Sequence, residues 1–205
     1  MRNIGKAVAV LAGGIAVGSV AHALTFSNVS ITGSNGADIG ASYTAFVTDI
    51  DFSLPNLIVG DPPLPSRNAE IAITYNVHSD EGGPLLHDIS NYMLGALNGS
   101  GTVYFNEVVE DVNTSNIIAS INQTITDNSQ LPAFSTTNFA YATNYIKVKK
   151  TIICDATLDT QAFDLAEIAF VEQRISLSSV PEPASLLALG IGLVAMARIR
   201  NRKSK

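Results

Sequence analysis

The chain has 205 residues, with 12 basic and 18 acidic side chains, one cysteine and three histidines. Seven of the basic residues lie at the two ends, so the stretch from Leu24 to Val180 holds five basic and seventeen acidic residues, a balance of −12. The phosphate backbone of a nucleic acid would repel so acidic a body, which excludes nucleic acid as a partner. A single cysteine excludes an internal disulfide and a cysteine-based zinc site.

Residues 1–23 have the pattern of a secretory signal peptide. Arg2 and Lys6 form a charged start, and fourteen apolar or small residues follow before Ala21-His22-Ala23, a small-x-small cleavage site. We expect export by the general secretion machinery and cleavage after Ala23. The alternative is an uncleaved anchor or a helix packed on the body, but the apolar run is short and glycine-rich for a membrane span.

The body, residues 24–179, alternates apolar and polar side chains with the period of two that is typical of β-strands. Ala69–His78 is the clearest case, and in Ile117–Thr126 we expect Ile117, Ala119 and Ile121 to face the core. The predicted strands are Leu24–Thr32, Ala41–Ile50, Ala69–His78, Thr102–Val109, Ile117–Thr126, Asn138–Cys154 and Ala166–Leu177.

Turn sequences rich in glycine, proline and asparagine separate these strands. Ile89–Leu97 is the exception, because its apolar residues are spaced as on a short helix. Seven or more strands in a body of this length predict an all-β fold, an antiparallel sandwich of jelly-roll type with a core large enough to need no disulfide or metal.

The last 26 residues mirror the start of the chain. Pro181-Glu182-Pro183 interrupts regular structure, and fourteen uncharged residues then lead to a basic cluster. That cluster is Arg198, Arg200, Arg202, Lys203 and Lys205. A helix over about 184–199 would be a thin membrane span, with the basic residues on the cytoplasmic side and the acidic body outside.

This order of motif, short apolar helix and basic tail resembles the PEP-CTERM sorting signal over residues 180–205. The resemblance implies an exported protein of an exopolysaccharide-producing Gram-negative bacterium. It also implies transient anchoring in the inner membrane, recognition by an exosortase, and removal of the tail near Pro181. The cell surface or extracellular matrix would then be the destination, by release or by attachment.

The body offers little catalytic chemistry. No nucleophile elbow or zinc-protease motif is present. The residues of His78-Ser79-Asp80 and of His87-Asp88 are neighbours in sequence, and such side chains point apart along a strand. We therefore expect no catalytic residues, no cofactor and no metal. Calcium is left open, because Asp49 and Asp51 share a strand face but lack the rest of a calcium loop.

One stretch is a candidate for carbohydrate binding. In a single strand from Asn138 to Lys150, Tyr141 and Tyr145 would lie on one face beside lysines and would form an aromatic platform for a polysaccharide. The competing interpretation is that a bulge near Asn144 reverses the register and buries the aromatic rings.

Two classes of function follow. The first is a non-enzymatic surface or matrix protein associated with exopolysaccharide and biofilm. The second is a secreted polysaccharide-active enzyme that uses two carboxylates in one cleft, about 5–10 Å apart. An ice-binding or adhesive surface protein is a further alternative, although only Thr124 and Thr126 form the Thr-x-Thr pair that ice-binding arrays repeat.

Overall fold

The computed structural model describes residues 23–61, 66–80, 82–156 and 163–178. Ala21, the motif Pro181-Glu182-Pro183, the predicted helix over about 184–199 and the five terminal basic residues lie outside these ranges. Within the described residues, no helix is long and apolar enough to cross a membrane.

The described body consists of β-strands and one 3-10 turn at Asn128–Gln130. The strands are β1 (Thr25–Gly33), β2 (Ser42–Ala45), β3 (Asp49–Ser53), β4 (Ile58–Gly60), β5 (Asn68–His78), β6 (Leu86–Asn98), β7 (Thr102–Asp111), β8 (Asn116–Ile125), β9 (Ala133–Thr143), β10 (Tyr145–Asp155) and β11 (Leu165–Leu177).

Two antiparallel sheets pack face to face, which confirms the predicted sandwich. Sheet A has the order β1-β5-β10-β7-β8, and sheet B has the order β2-β3-β11-β6-β9 with β4 paired to β11. From β4 onward the chain changes sheet at every connection except the β7–β8 hairpin, as in a jelly roll. One hydrophobic core fills the space between the sheets, with Tyr75, Phe52 and Phe105 among its largest buried side chains.

The predicted helix at Ile89–Leu97 is wrong, because this segment is part of strand β6. Ile89, Asn91 and Met93 point into the core, and Tyr92 between them points outward. A polar residue at an inward position breaks the apolar alternation, and the remaining apolar residues then imitate helical spacing. The structure explains the exception, since Asn91 has polar partners inside the core.

The single strand predicted from Asn138 to Cys154 is also wrong. The chain leaves sheet B at Thr143, turns at Asn144, and enters sheet A at Tyr145. Backbone and side-chain hydrogen bonds hold the turn, because the Ser79 amide donates to the Asn144 carbonyl at 2.9 Å and Asn113 Nδ2 donates to Asn144 Oδ1 at 3.2 Å. The predicted strand Ala41–Ile50 is likewise divided, into β2 and the start of β3.

Ile117 does not face the core. The pairing of β7 with β8 shifts by one residue between Val109 and Glu110, which leaves Ile118 as the extra residue of a bulge. Ile118 is therefore buried and Ile117 is 66% exposed. A bulge of this kind is invisible to a strict two-residue period, because it reverses the faces on one side of it.

Candidate functional site

The outer face of sheet B carries two adjacent rows of side chains that cross four strands, β9, β6, β11 and β3. The first row is Phe134, Tyr92, Glu172 and Asp51, and the second is Thr136, Ser90, Arg174 and Asp49. We call these eight residues the aromatic–carboxylate face. Neighbouring strands lie about 4.8 Å apart, so the rows are about 14 Å long.

One end of this face is aromatic. Tyr92 and Phe134 are directly paired across β6 and β9, and their ring centroids lie 4.9 Å apart at 49°. Phe134 is 69% exposed, so most of its ring surface faces solvent. In the next row, Leu94 and Phe170 are paired and extend the apolar surface. The result is a ring surface that remains open to solvent.

The other end is charged and hydrogen-bonded. Arg174 Nε donates to Asp49 Oδ1 at 3.1 Å, and its Nη2 donates to Glu172 Oε1 at 3.5 Å. In the second row, beside the aromatic pair, the hydroxyl groups of Ser90 and Thr136 lie 3.0 Å apart. The guanidinium is therefore held in position over the sheet by carboxylates on both sides.

Asp51 lies opposite Glu172 on the neighbouring strand. Partial burial, and then the negative charges of Glu172 and Asp49, raise the pKa of Asp51 above its usual value. Two carboxylates thus face each other on this surface, and one of them is stabilised in its protonated form.

A groove of about 370 Å³ runs along this face, and its lining contains the aromatic pair. The lining residues are Ser90, Asn91, Tyr92, Phe134, Glu172 and Arg174. It therefore combines flat apolar rings with hydroxyl, carboxylate and guanidinium groups. Such a surface can cover the apolar face of a sugar ring while its polar groups hydrogen-bond to hydroxyls.

Tyr141 and Tyr145 do not form one surface. Tyr141 lies on β9 of sheet B, where its hydroxyl donates to Asp111 Oδ2 at 3.0 Å. Tyr145 lies on β10 of sheet A, where its hydroxyl accepts from Asn76 Nδ2 at 3.1 Å and its ring makes an edge contact with His78. The change of sheet at Asn144 separates the two rings, and both hydroxyls take part in hydrogen bonds within the protein.

Asp111 shows what Tyr141 contributes. Burial opposes the charge of this carboxylate, but the Asn113 amide, the Tyr141 hydroxyl and the Thr114 hydroxyl hydrogen-bond to it, and together they lower the pKa of Asp111. Tyr141 therefore fastens β9 to the turn after β7.

No group of three or more histidine, cysteine, aspartate or glutamate side chains within the described residues is arranged to hold a metal ion. Asp49 and Asp51 share a face, as predicted, but Asp49 is paired with Arg174. The described part of the chain therefore gives the calcium hypothesis no additional ligand.

Sequence reasoning missed the aromatic–carboxylate face because its strands were assigned incorrectly. Tyr92 was placed on a helix, and the first half of β9, which contains Phe134, was not predicted as a strand. The one signal in the sequence was Ser135-Thr136-Thr137 after an aromatic residue, which is typical of a strand with a polar face.

Residues 179–203 match the family model described as the PEP-CTERM protein-sorting motif. The chain carries a PEP-CTERM sorting signal. This finding confirms the resemblance of the C-terminal residues, and it makes the protein an exported substrate of an exosortase-type sorting system with a membrane-anchored stage in its transit.

Several solved structures are similar to the body. TmCBM61 in complex with β-1,4-galactotriose is 12% identical, covers 73% of this chain and 85% of its own, and has a TM-score of 0.35. The family 11 carbohydrate-binding module of a Clostridium thermocellum cellulosomal cellulase is 11% identical, covers 80% and 91%, and has a TM-score of 0.26. The enzymatically active domain of bacteriophage CBA120 tailspike protein 4 is 15% identical, covers 76% and 19%, and has a TM-score of 0.31. At these TM-scores the similarities say nothing about the function of this chain. The comparison with curated proteins gives no match.

Proposed function

We propose that the exported body is a non-catalytic glycan-binding protein that is retained in the exopolysaccharide at the cell surface or in the matrix of a Gram-negative biofilm. The observation that carries this proposal is the exposed Tyr92–Phe134 pair, which shares a groove with Glu172 and Arg174. The sorting signal supports the destination, because it directs the body out of the cell.

The charges of the groove favour a neutral glycan. Three carboxylates, Asp49, Asp51 and Glu172, lie on the aromatic–carboxylate face against the single guanidinium of Arg174. A polyanionic chain would be repelled by this face, and by a body with a net charge of −12. Carboxylates accept hydrogen bonds from the paired hydroxyls of a neutral sugar, and Arg174 donates to its oxygens. Binding of a neutral glycan should depend only weakly on salt.

A competing hypothesis is a polysaccharide-active enzyme, and one observation favours it. Asp51 and Glu172 face each other, and the raised pKa of Asp51 resembles the general acid of a glycosidase. The hypothesis predicts that Glu172→Gln abolishes release of sugar ends while binding persists. The binding hypothesis predicts that the wild-type protein releases no sugar ends from the same polysaccharide.

Retention in the native matrix tests the proposal. The double variant Tyr92→Ala/Phe134→Ala should be secreted and processed normally but washed out of the matrix, whereas the wild-type protein stays. Tyr104→Ala is the matched control, because this tyrosine is 45% exposed on sheet A. Normal retention of the double variant, or loss of Tyr104→Ala, would contradict the proposed site.

A further inference from the structure

Four polar side chains meet inside the hydrophobic core, one from each of four strands. They are Asn91 of β6, Glu107 of β7, Lys150 of β10 and Gln173 of β11, all of them 0–3% exposed. The side chains of Lys150 and Glu107 are wholly buried, and the ring of Phe105 lies 5.4 Å from Lys150 Nζ. A buried ion pair adds little stability over an apolar core, so stability alone does not explain why these charged residues are there.

The four groups form one connected network of contacts. Lys150 Nζ contacts both Asn91 Oδ1 and Glu107 Oε2, and Asn91 Nδ2 donates to Glu107 Oε1 at 3.2 Å. Gln173 Nε2 donates to Glu107 Oε2 at 2.8 Å and lies 3.4 Å from Asn91 Oδ1. An amine, a carboxamide and a carboxyl group are thus held together in a site closed to water. The carbonyl of Asn91 faces two N–H donors, which polarise it.

The lysine is also prepared to act as a nucleophile. Burial lowers the pKa of Lys150, although the charge of Glu107 opposes this effect. Before it can attack, the ammonium must pass a proton to the Glu107 carboxylate it contacts, which exchanges two buried charges for two neutral groups. A neutral amine then lies against the amide of Asn91.

We propose that Lys150 and Asn91 form an intramolecular isopeptide bond, with Glu107 as the proton shuttle. The lone pair of the neutral Lys150 Nζ attacks Asn91 Cγ, and the carbonyl electrons move to Oδ1, where Gln173 Nε2–H stabilises the oxyanion. Glu107 gives its proton to the Asn91 amide nitrogen and takes one from the attacking nitrogen. The carbonyl re-forms as the old C–N bond breaks and ammonia leaves.

The step balances without an oxidant or a co-reactant. The ammonium and the carboxamide bring five N–H protons, of which one stays on the new amide, three leave in ammonia, and one remains on Glu107. The product contains no buried charge, and Glu107 as a neutral acid can still donate a hydrogen bond. Asn91 is the electrophile, because its amide is the one in contact with Lys150 Nζ.

The bond would join β10 of sheet A to β6 of sheet B, across positions 59 residues apart in the chain. A covalent bond between the two sheets would stabilise this protein as a disulfide stabilises many exported domains. With one cysteine, the chain cannot form an internal disulfide of its own. It would lock the sandwich against forced separation of its sheets.

Peptide mapping of the full chain, secreted and processed by its own host, tests the bond. After denaturation and digestion with trypsin and a glutamate-specific protease, the linked protein gives peptide 82–107 joined to peptide 150–167. The mass of the joined peptide is the sum of the two minus one ammonia, and trypsin does not cleave after Lys150. Free peptides 82–107 and 151–167 from the folded wild-type protein would overturn the proposal.

Two variants separate the chemistry from the packing. Glu107→Gln keeps the size of the side chain but removes the proton shuttle, so it should give only the unlinked peptides, with 82–110 replacing 82–107. Lys149→Gln is the control, because this solvent-facing lysine is paired with Glu110 and the joined product, now carrying 148–167, should persist. An equal yield of joined peptide in Glu107→Gln would refute the role of Glu107. The wild-type map decides the bond itself even if that variant does not fold.

Discussion

Replacing Phe134 with alanine should weaken glycan binding while leaving the fold nearly intact. Complete burial of a phenylalanine side chain is worth about 1.5–3 kcal/mol relative to exposure. Since 69% of Phe134 is exposed in the free protein, a sugar ring that covers it could recover about two thirds of this, or about 1–2 kcal/mol. The expected loss is therefore about 5- to 30-fold in Kd.

The free energy of unfolding of the same variant should fall only modestly. The ring contributes its contact with Tyr92, and an aromatic pair of this kind is worth about 0.5–1.5 kcal/mol. Titration calorimetry with neutral oligosaccharides from the host polysaccharide gives Kd, and urea unfolding gives the free energy of unfolding. The reasoning fails if Phe134→Ala binds like the wild-type protein, or if the loss in binding only follows a loss of folded protein.

Three further outcomes follow from buried or hydrogen-bonded groups. Tyr141→Phe should lower the free energy of unfolding by about 1–3 kcal/mol without changing glycan binding. Because the folded pKa of Asp111 is lowered, the ionised Asp111 stabilises the fold above pH 3.8, and this stabilisation is lost as the pH falls through the folded pKa. The acid-unfolding midpoint of the variant should therefore rise to a higher pH. Asp51→Asn should raise the melting temperature at neutral pH, because it removes a partly buried charge that Glu172 and Asp49 repel. Since the pKa of Asp51 is raised, this penalty grows as the pH rises from 3.8 to the folded pKa, and the gain should vanish below 3.8. Burial raises the pKa of Cys154 to about 12, so iodoacetamide should alkylate it at mildly alkaline pH only after unfolding, and labelling of the native protein would contradict its burial.

The fold class could be predicted because most strands alternate in a regular way. Ala69–His78 and Ala166–Leu177 match β5 and β11 closely, since each has one apolar and one polar face. Sandwich packing follows once several such strands must bury the same kind of face.

The wrong helix at Ile89–Leu97 has a specific physical cause, which is a polar residue at an inward position. Asn91 disrupts the apolar alternation of β6, and Lys150 is a charged residue at an inward position of β10, where it is 1% exposed. Their burial is possible only because Glu107 and Gln173, from distant parts of the chain, satisfy them. No local pattern contains that information, since it depends on long-range pairing between the two sheets.

The candidate site was hidden for a related reason. A groove on the face of a sheet is built from residues that are close only after strands have paired, as Phe134, Tyr92 and Glu172 are. The sequence predicts an aromatic platform of Tyr141 and Tyr145 beside lysines, but the turn at Asn144 places the two rings on different sheets. By contrast, the sorting signal is contiguous in sequence, and it was identified without any structure.

The most direct test of glycan binding is a chemical-shift titration of the mature protein with neutral oligosaccharides from the host exopolysaccharide. The account predicts that the backbone amides around Tyr92, Phe134 and Glu172 move together and saturate, with sheet A unaffected. Shifts centred on Tyr104 and the outer face of sheet A, or no shifts at concentrations that saturate matrix binding, would contradict it.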